Sequence, residues 1–74
     1  MENTLKSEKL TIERKQFYFD LKANARGAFL RITEDVNGRR DTIIIPASGL
    51  QDFATIMSQL AAQAAESNVN VAAA

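Results

Sequence analysis

The chain has no cysteine and no histidine among its 74 residues. Without cysteine, no disulfide can staple the fold, and no thiolate is available as nucleophile or metal ligand. Without histidine, the usual zinc sites and imidazole acid–base chemistry are excluded. No apolar run approaches the roughly 20 residues that a membrane-spanning helix requires. The opening residues M-E-N-T-L-K-S-E lack the basic-then-apolar order of a signal peptide. Net charge is zero, from nine basic and nine acidic residues. That balance argues against a protein that coats nucleic acid non-specifically, although a local basic patch depends on placement and not on the sum. A chain this short is one small domain, and with no covalent staple its stability must come from an efficient core or from self-association.

What is present begins with alternation. Residues Lys15 to Leu30 read K-Q-F-Y-F-D-L-K-A-N-A-R-G-A-F-L. Phe17, Phe19 and Leu21 alternate with polar residues, the pattern breaks at 24–27, and Ala28, Leu30 and Ile32 resume it. This predicts a β-hairpin with one apolar face. The other face collects Tyr18, Lys22, Phe29 and Arg31, with Asn24 and Arg26 at the turn. Cations, amides and aromatics on one exposed strand surface suit a single-stranded nucleic acid.

The rest of the chain extends the pattern. Residues 1–7 are expected to be a flexible N-terminus. A first strand is expected over 8–14, with Leu10 and Ile12 on one side and a tight connection at Lys15 and Gln16. Strands over 17–22 and 28–35 form the central hairpin. Asn37-Gly38 predicts a type I′ turn into a fourth strand over 42–45, which Pro46 ends. Arg39 and Arg40 after that turn either solvate a loop tip or extend the basic track. Ser48-Gly49-Leu50-Gln51 fits a capping box, with Asp52 in the first turn of the helix. Leu50, Phe53, Ala54, Met57, Leu60, Ala61 and Ala64 recur at helical spacing, and the helix should end near Glu66. A flexible tail is expected over 67–74.

The expected class is therefore α+β: four antiparallel strands followed by one helix, ββββα. Four strands make a sheet some ~19 Å wide, whereas one helix is ~10 Å across. A single helix cannot cover the apolar face, so a second copy of the same chain is expected to cover the rest, as a homodimer.

The order of elements and the K-x-N-x-R-G-x-F core at Lys22, Asn24, Arg26, Gly27 and Phe29 resemble one repeat of the Pur-alpha family, the purine-rich element binding proteins. The resemblance covers roughly residues 8–60. It implies a single repeat, here 8–66, pairing with itself as an intertwined homodimer, as in bacterial single-repeat relatives. It also implies binding of single-stranded DNA and RNA with a preference for purine-rich, G-rich sequence. Lys22, Asn24 and Arg26 match positions that contact nucleic acid in that family. Phe29 matches a base-stacking aromatic, and Lys15 a contributing lysine of the first hairpin turn. Tyr18 and Arg31 join them as candidates by sharing the polar face. Two roles are open to Phe29, base stacking or packing in a subunit interface. The chain departs from the family at Ala28, where many members carry a basic residue, and at Glu13 and Arg14, where animal members often have Gln and Ser.

No enzyme is expected. Asp20, Glu34 and Asp35 form no convincing acid–base pair, and no catalytic or metal-ligating set stands out. No cofactor, small-molecule substrate or membrane partner is expected. The expected setting is cytoplasmic, with nucleoid association as one form of it. The alternative function is a protein-interaction or scaffold dimer of the same fold with weak or no nucleic-acid binding.

Overall fold

A computed structural model describes residues 2–67. The chain forms β1 (Asn3–Ile12), β2 (Lys15–Asn24), β3 (Gly27–Val36) and β4 (Arg39–Pro46), then a 3-10 turn (Ala47–Gly49) and helix α1 (Leu50–Glu66). The strands lie in sequence order as one antiparallel meander, β1-β2-β3-β4. The ββββα order expected from the sequence is therefore present.

Register divides the sheet into two chemically different faces. Residues directly opposite on neighbouring strands share a face, and successive residues alternate between faces. Phe19 pairs with Ile32 and Leu21 with Leu30. Leu10 joins Phe17 from β1, and Ile43 and Ile45 join Ile32 and Leu30 from β4. These residues form the apolar face. On the other side stand Tyr18 opposite Thr33, Asp20 opposite Arg31, and Lys22 opposite Phe29.

Each turn follows from local chemistry. Asn37 and Gly38 both take positive φ, 54° and 86°, as the type I′ turn requires. The Asp35 carboxylate accepts the Gly38 N–H at 2.9 Å. At the central turn, the Asn24 Oδ1 accepts the Arg26 N–H at 2.8 Å, and Gly27 follows at φ 133°. Asparagine turns the chain through its side chain here, and glycine supplies a conformation that other residues reach only with strain.

Pairing to β3 lengthens its neighbours beyond expectation: β2 runs on to Asn24 and not 22, and β4 starts at Arg39 and not 42 and takes in Pro46. Three further differences bear on the first strand, the first turn and the helix start. The first strand begins at Asn3, so residues 3–7 are paired with β2 and not frayed. An edge strand can be held by its neighbour's backbone without an apolar pattern of its own. A register shift between Thr4 and Lys6 marks a bulge near its start. The first turn lies at Glu13-Arg14, with Glu13 at φ 56°, and Lys15 already belongs to β2. The capping box does not form. Ser48 lies inside the 3-10 turn, Gly49 is the N-cap of α1, and no side chain caps the helix. Pro46, at φ −59°, starts the tight turn that displaces Ser48 from the cap. Asp52 does occupy the first turn of the helix. The expected tail lies outside the described residues apart from Ser67, whose N–H bonds back to the Gln63 carbonyl at 2.9 Å.

The core is sparse. Among the described residues only Ile45 is a buried apolar side chain, with Thr33 buried on the opposite face. Helix α1 buries none of its residues. Its contacts are chiefly with the 3-10 turn, and it packs against no strand extensively. Phe53, Ile56, Met57 and Leu60 on the helix and Leu10, Ile12 and Ile43 on the sheet all stay exposed. No helix among the described residues is long and apolar enough to cross a membrane.

Gly27→Ala should lower stability by about 1–3 kcal/mol, because its backbone conformation is strained for any residue with a Cβ, although space around it is open. Urea unfolding checks this; an unchanged midpoint would contradict it.

Candidate nucleic-acid interface

The polar face is built by the same alternation that builds the apolar one. Tyr18, Lys22, Asn24, Phe29 and Arg31 all point to it, with Arg26 at the adjoining turn. Near the central turn, Asn24, Arg26, Phe29 and Arg31 line one shallow, open depression of about 530 Å³. Glu2, Ala28, Ile44 and Pro46 complete its lining with Gly27. Lys22 stands beside it, directly across from Phe29.

Lys15 does not share this face. By alternation it stands on the side of Phe17 and Phe19, opposite Ile12, and its ammonium pairs with Glu34 at 3.1 Å. The structure thus gathers the other expected site residues on one side and sets Lys15 apart.

Most cations on the face have carboxylate partners. Lys22 Nζ lies 3.6 Å from the Glu2 carboxylate and donates to Thr4 Oγ1 at 3.1 Å. Its side chain is only 14% exposed. Arg31 pairs with Asp20 at 3.6 Å. Arg40 pairs with Asp35 at 3.0 Å. Arg26 enters none of the ion pairs found among the described residues. Its guanidinium and the Lys9 ammonium are the cations on this face outside those pairs. Each pair has one partly buried partner and one that reaches solvent, so salt screens it only in part, and a phosphate reaches these cations by displacing a carboxylate.

Asp20 anchors the middle of the face. The Ser7 hydroxyl donates to its Oδ1 at 2.7 Å. That bond is the main reason its carboxyl lies below the usual range, with the Arg31 and Lys22 charges adding to the effect against a desolvation that opposes it. At the far end of the face, Lys9 and Arg40 each lie 5.5 Å from the centre of the Tyr18 ring, within cation–π range. The Tyr18 hydroxyl donates to Gln16 Oε1 at 2.8 Å. Arg40 therefore belongs to the polar face and not merely to a solvated loop tip.

Sequence reasoning missed Glu2, Lys9, Ile44 and Pro46. Glu2 fell in the segment expected to be frayed. Ile44 sits inside an unbroken isoleucine run, and the proline at position 46 signals the end of a strand before it signals a contact. For Ile44 the usable signal was parity: if Ile43 and Ile45 face inward, Ile44 faces outward.

No cluster of His, Cys, Asp or Glu among the described residues has the arrangement of a metal site.

Because the folded-state pKa of Asp20 is depressed below its ordinary value of 3.8, its stabilising contribution is full above that pH and is lost as pH falls through the folded value. Asp20→Asn should reduce stability at neutral pH and weaken the pH dependence of unfolding below about pH 4. Urea midpoints measured from neutral to acidic pH test this. Parallel profiles for the two proteins would contradict it.

Comparison with known proteins identifies the scaffold. The family model described as PurA ssDNA and RNA-binding protein matches residues 1–73. The chain is 51% identical over 49 residues to Transcription factor Pur-alpha 1 of Arabidopsis thaliana, covering 66% of this chain and 17% of that protein. It is 43% identical over 63 residues to the human Transcriptional activator protein Pur-alpha, covering 76% of this chain and 20% of the relative. Transcriptional activator plp-1 of Caenorhabditis elegans is 38% identical over 65 residues, covering 84% of this chain and 29% of that protein. The chain thus spans less than a third of the length of these relatives. The family is nucleic-acid-binding and not enzymatic, in agreement with the expectation from sequence. On the match across nearly its whole length, the chain belongs to the PurA family of single-stranded DNA- and RNA-binding proteins.

Proposed function

We propose that this chain binds single-stranded DNA or RNA on the polar face of its sheet, and that a second copy of the chain seals the apolar face. The observation that carries the reading is the depression by the central turn, where Asn24, Arg26, Phe29 and Arg31 converge on the face opposite the apolar one. Arg26, Arg31 and Lys22 attract phosphates, and the guanidiniums add forked hydrogen bonds. Phe29 offers a stacking surface worth ~1–3 kcal/mol per base in proteins of this kind. Asn24 donates and accepts, so its amide can read a base edge, although its Oδ1 already holds the turn. Tyr18 extends the face toward Lys9 and Arg40. Lys15 is left out of the set because it stands on the other side. A preference for purine-rich, G-rich strands fits this chemistry, since purines give the larger stacking surface. A cytoplasmic setting, including association with the nucleoid, fits it as well.

The dimer rests on unmet burial. Seven large apolar side chains, those of Leu10, Ile12 and Ile43 on the sheet and Phe53, Ile56, Met57 and Leu60 on the helix, are each 38–60% exposed. Covering the exposed half of each is worth on the order of 1 kcal/mol. The apolar stripe of α1 stays exposed on its own chain, so crossing onto a partner's sheet satisfies both surfaces at once. Phe29 then stays on the wet side, which favours its stacking role over an interface role.

The second reading, a scaffold dimer with weak nucleic-acid affinity, draws on the carboxylates that already hold Lys22, Arg31 and Arg40. Gel retardation with a G-rich oligonucleotide near physiological salt separates the two, since absence of a shift at micromolar protein favours the scaffold.

Lys22→Ala with Arg26→Ala should weaken binding about tenfold or more and lower the salt slope by about 1.4, from ~0.7 per phosphate contact on single strands. Fluorescence anisotropy across a salt series measures both, and unchanged values would remove these residues from the site. Sedimentation equilibrium should return twice the 8.1 kDa chain mass. A monomer at high concentration would contradict the pairing.

A further inference from the structure

Ile44 breaks the division of the sheet. Its neighbours Ile43 and Ile45 stand on the apolar face, and Ile45 is buried there. Ile44 stands opposite Arg31 on the polar face and is 54% exposed. No packing role within the chain explains a large aliphatic group at this position. It is not isolated, however. Pro46 pairs with Phe29, one step along β4 on the same face. Phe29, Ile44 and Pro46 therefore form a contiguous apolar strip on an otherwise polar surface, and all three line the same depression.

We propose that Ile44 and Pro46 complete, with Phe29, a slot that takes one unstacked nucleobase of a bound single strand. The inference rests on the functional reading above and assigns it residues on a second strand. The strip spans about 5 Å between strands and about 7 Å along β4, the footprint of one ring system and not of a run of bases. Its surroundings fit that occupant. Arg26 and Arg31 stand where the phosphates flanking a base can reach them, and Asn24 presents an amide at the rim. An apolar floor with a small number of convergent polar groups is the general form of a small-ligand site. A second copy of the chain is a poorer occupant. The unmet apolar surface that calls for a partner lies on the opposite side of the sheet, and the strip is rimmed by guanidiniums that a bare protein contact would have to desolvate.

The test uses anisotropy titrations with a short G-rich strand and with versions carrying one abasic site at each position in turn. Wild-type protein should lose about fivefold or more in affinity at one abasic position, and less elsewhere. Ile44→Thr keeps a β-branched side chain suited to the strand and removes apolar contact. It should bind the intact strand about fivefold more weakly and respond less to that abasic position. Ile44→Val should stay within about twofold of wild type. Circular dichroism melts establish that the variants fold. Wild-type protein that loses affinity equally at every abasic position would overturn the slot without any variant being needed. So would Ile44→Thr binding both kinds of strand as wild type does, and in each case the broader reading survives because the strand still binds. A change in sedimentation mass in Ile44→Thr would reassign the strip to a contact between chains and overturn the slot. Wild-type protein that binds no strand at all would remove the broader reading and the slot together.

Discussion

The register between β2 and β3 is the constraint on which everything else depends. It sets Phe19 against Ile32 and Leu21 against Leu30, and by the same step sets Asp20 against Arg31 and Lys22 against Phe29 on the reverse side. Sliding either strand by one residue would send the apolar set to the wet face and the charged set to the dry one. Pairing of apolar side chains and assembly of the polar site are thus one event. The Asn24 side chain and Gly27 hold the turn that fixes this register, which makes Asn24 both a structural and a candidate contact residue.

Burial within one chain is incomplete, and the shortfall has a definite shape. The helix carries an apolar stripe that its own sheet does not meet, and the sheet carries an apolar face that its own helix does not cover. A four-stranded sheet needs a second layer of comparable breadth, and a 17-residue helix that buries none of its own side chains does not supply one. The proposed partner resolves both surfaces and leaves the polar face free. Electrostatics on that face are poised and not simply positive. Carboxylates hold most of its cations in half-buried pairs, consistent with zero net charge, and Arg26 stands outside them. Binding of a phosphate backbone at Lys22 or Arg31 is then an exchange of one anion for another, so these contacts should add less to the salt dependence than the contact at Arg26, which displaces no carboxylate.

Much of this was legible in the sequence wherever burial on one side forces strict alternation. The faces of the central hairpin, the Asn37-Gly38 turn and the end of the helix at Glu66 follow from side-chain pattern and φ preference. The pattern failed where the controlling contact lies on another strand. Residues 3–7 have no apolar periodicity and are strand because β2 presents its backbone to them. Glu13 gives no sign that it will adopt positive φ, so the first turn was expected two residues too late, and Lys15 was placed in the turn and not on the apolar side. Ser48 has the sequence of an N-cap, but the 3-10 turn after Pro46 moves the helix start beyond it. The run Ile43-Ile44-Ile45 does not say which of its members face the core until pairing to β3 fixes their parity.

The central claim is that one side of the sheet meets nucleic acid and the other does not. An NMR titration of isotope-labelled chain with a short G-rich single strand tests it most directly, through side-chain and amide shifts mapped residue by residue. The account predicts strong changes at the side chains of Asn24, Arg26, Phe29 and Arg31, and little at those of Phe19, Leu21, Leu30 and Ile32. Changes concentrated on the latter group, or spread evenly over both, would contradict it.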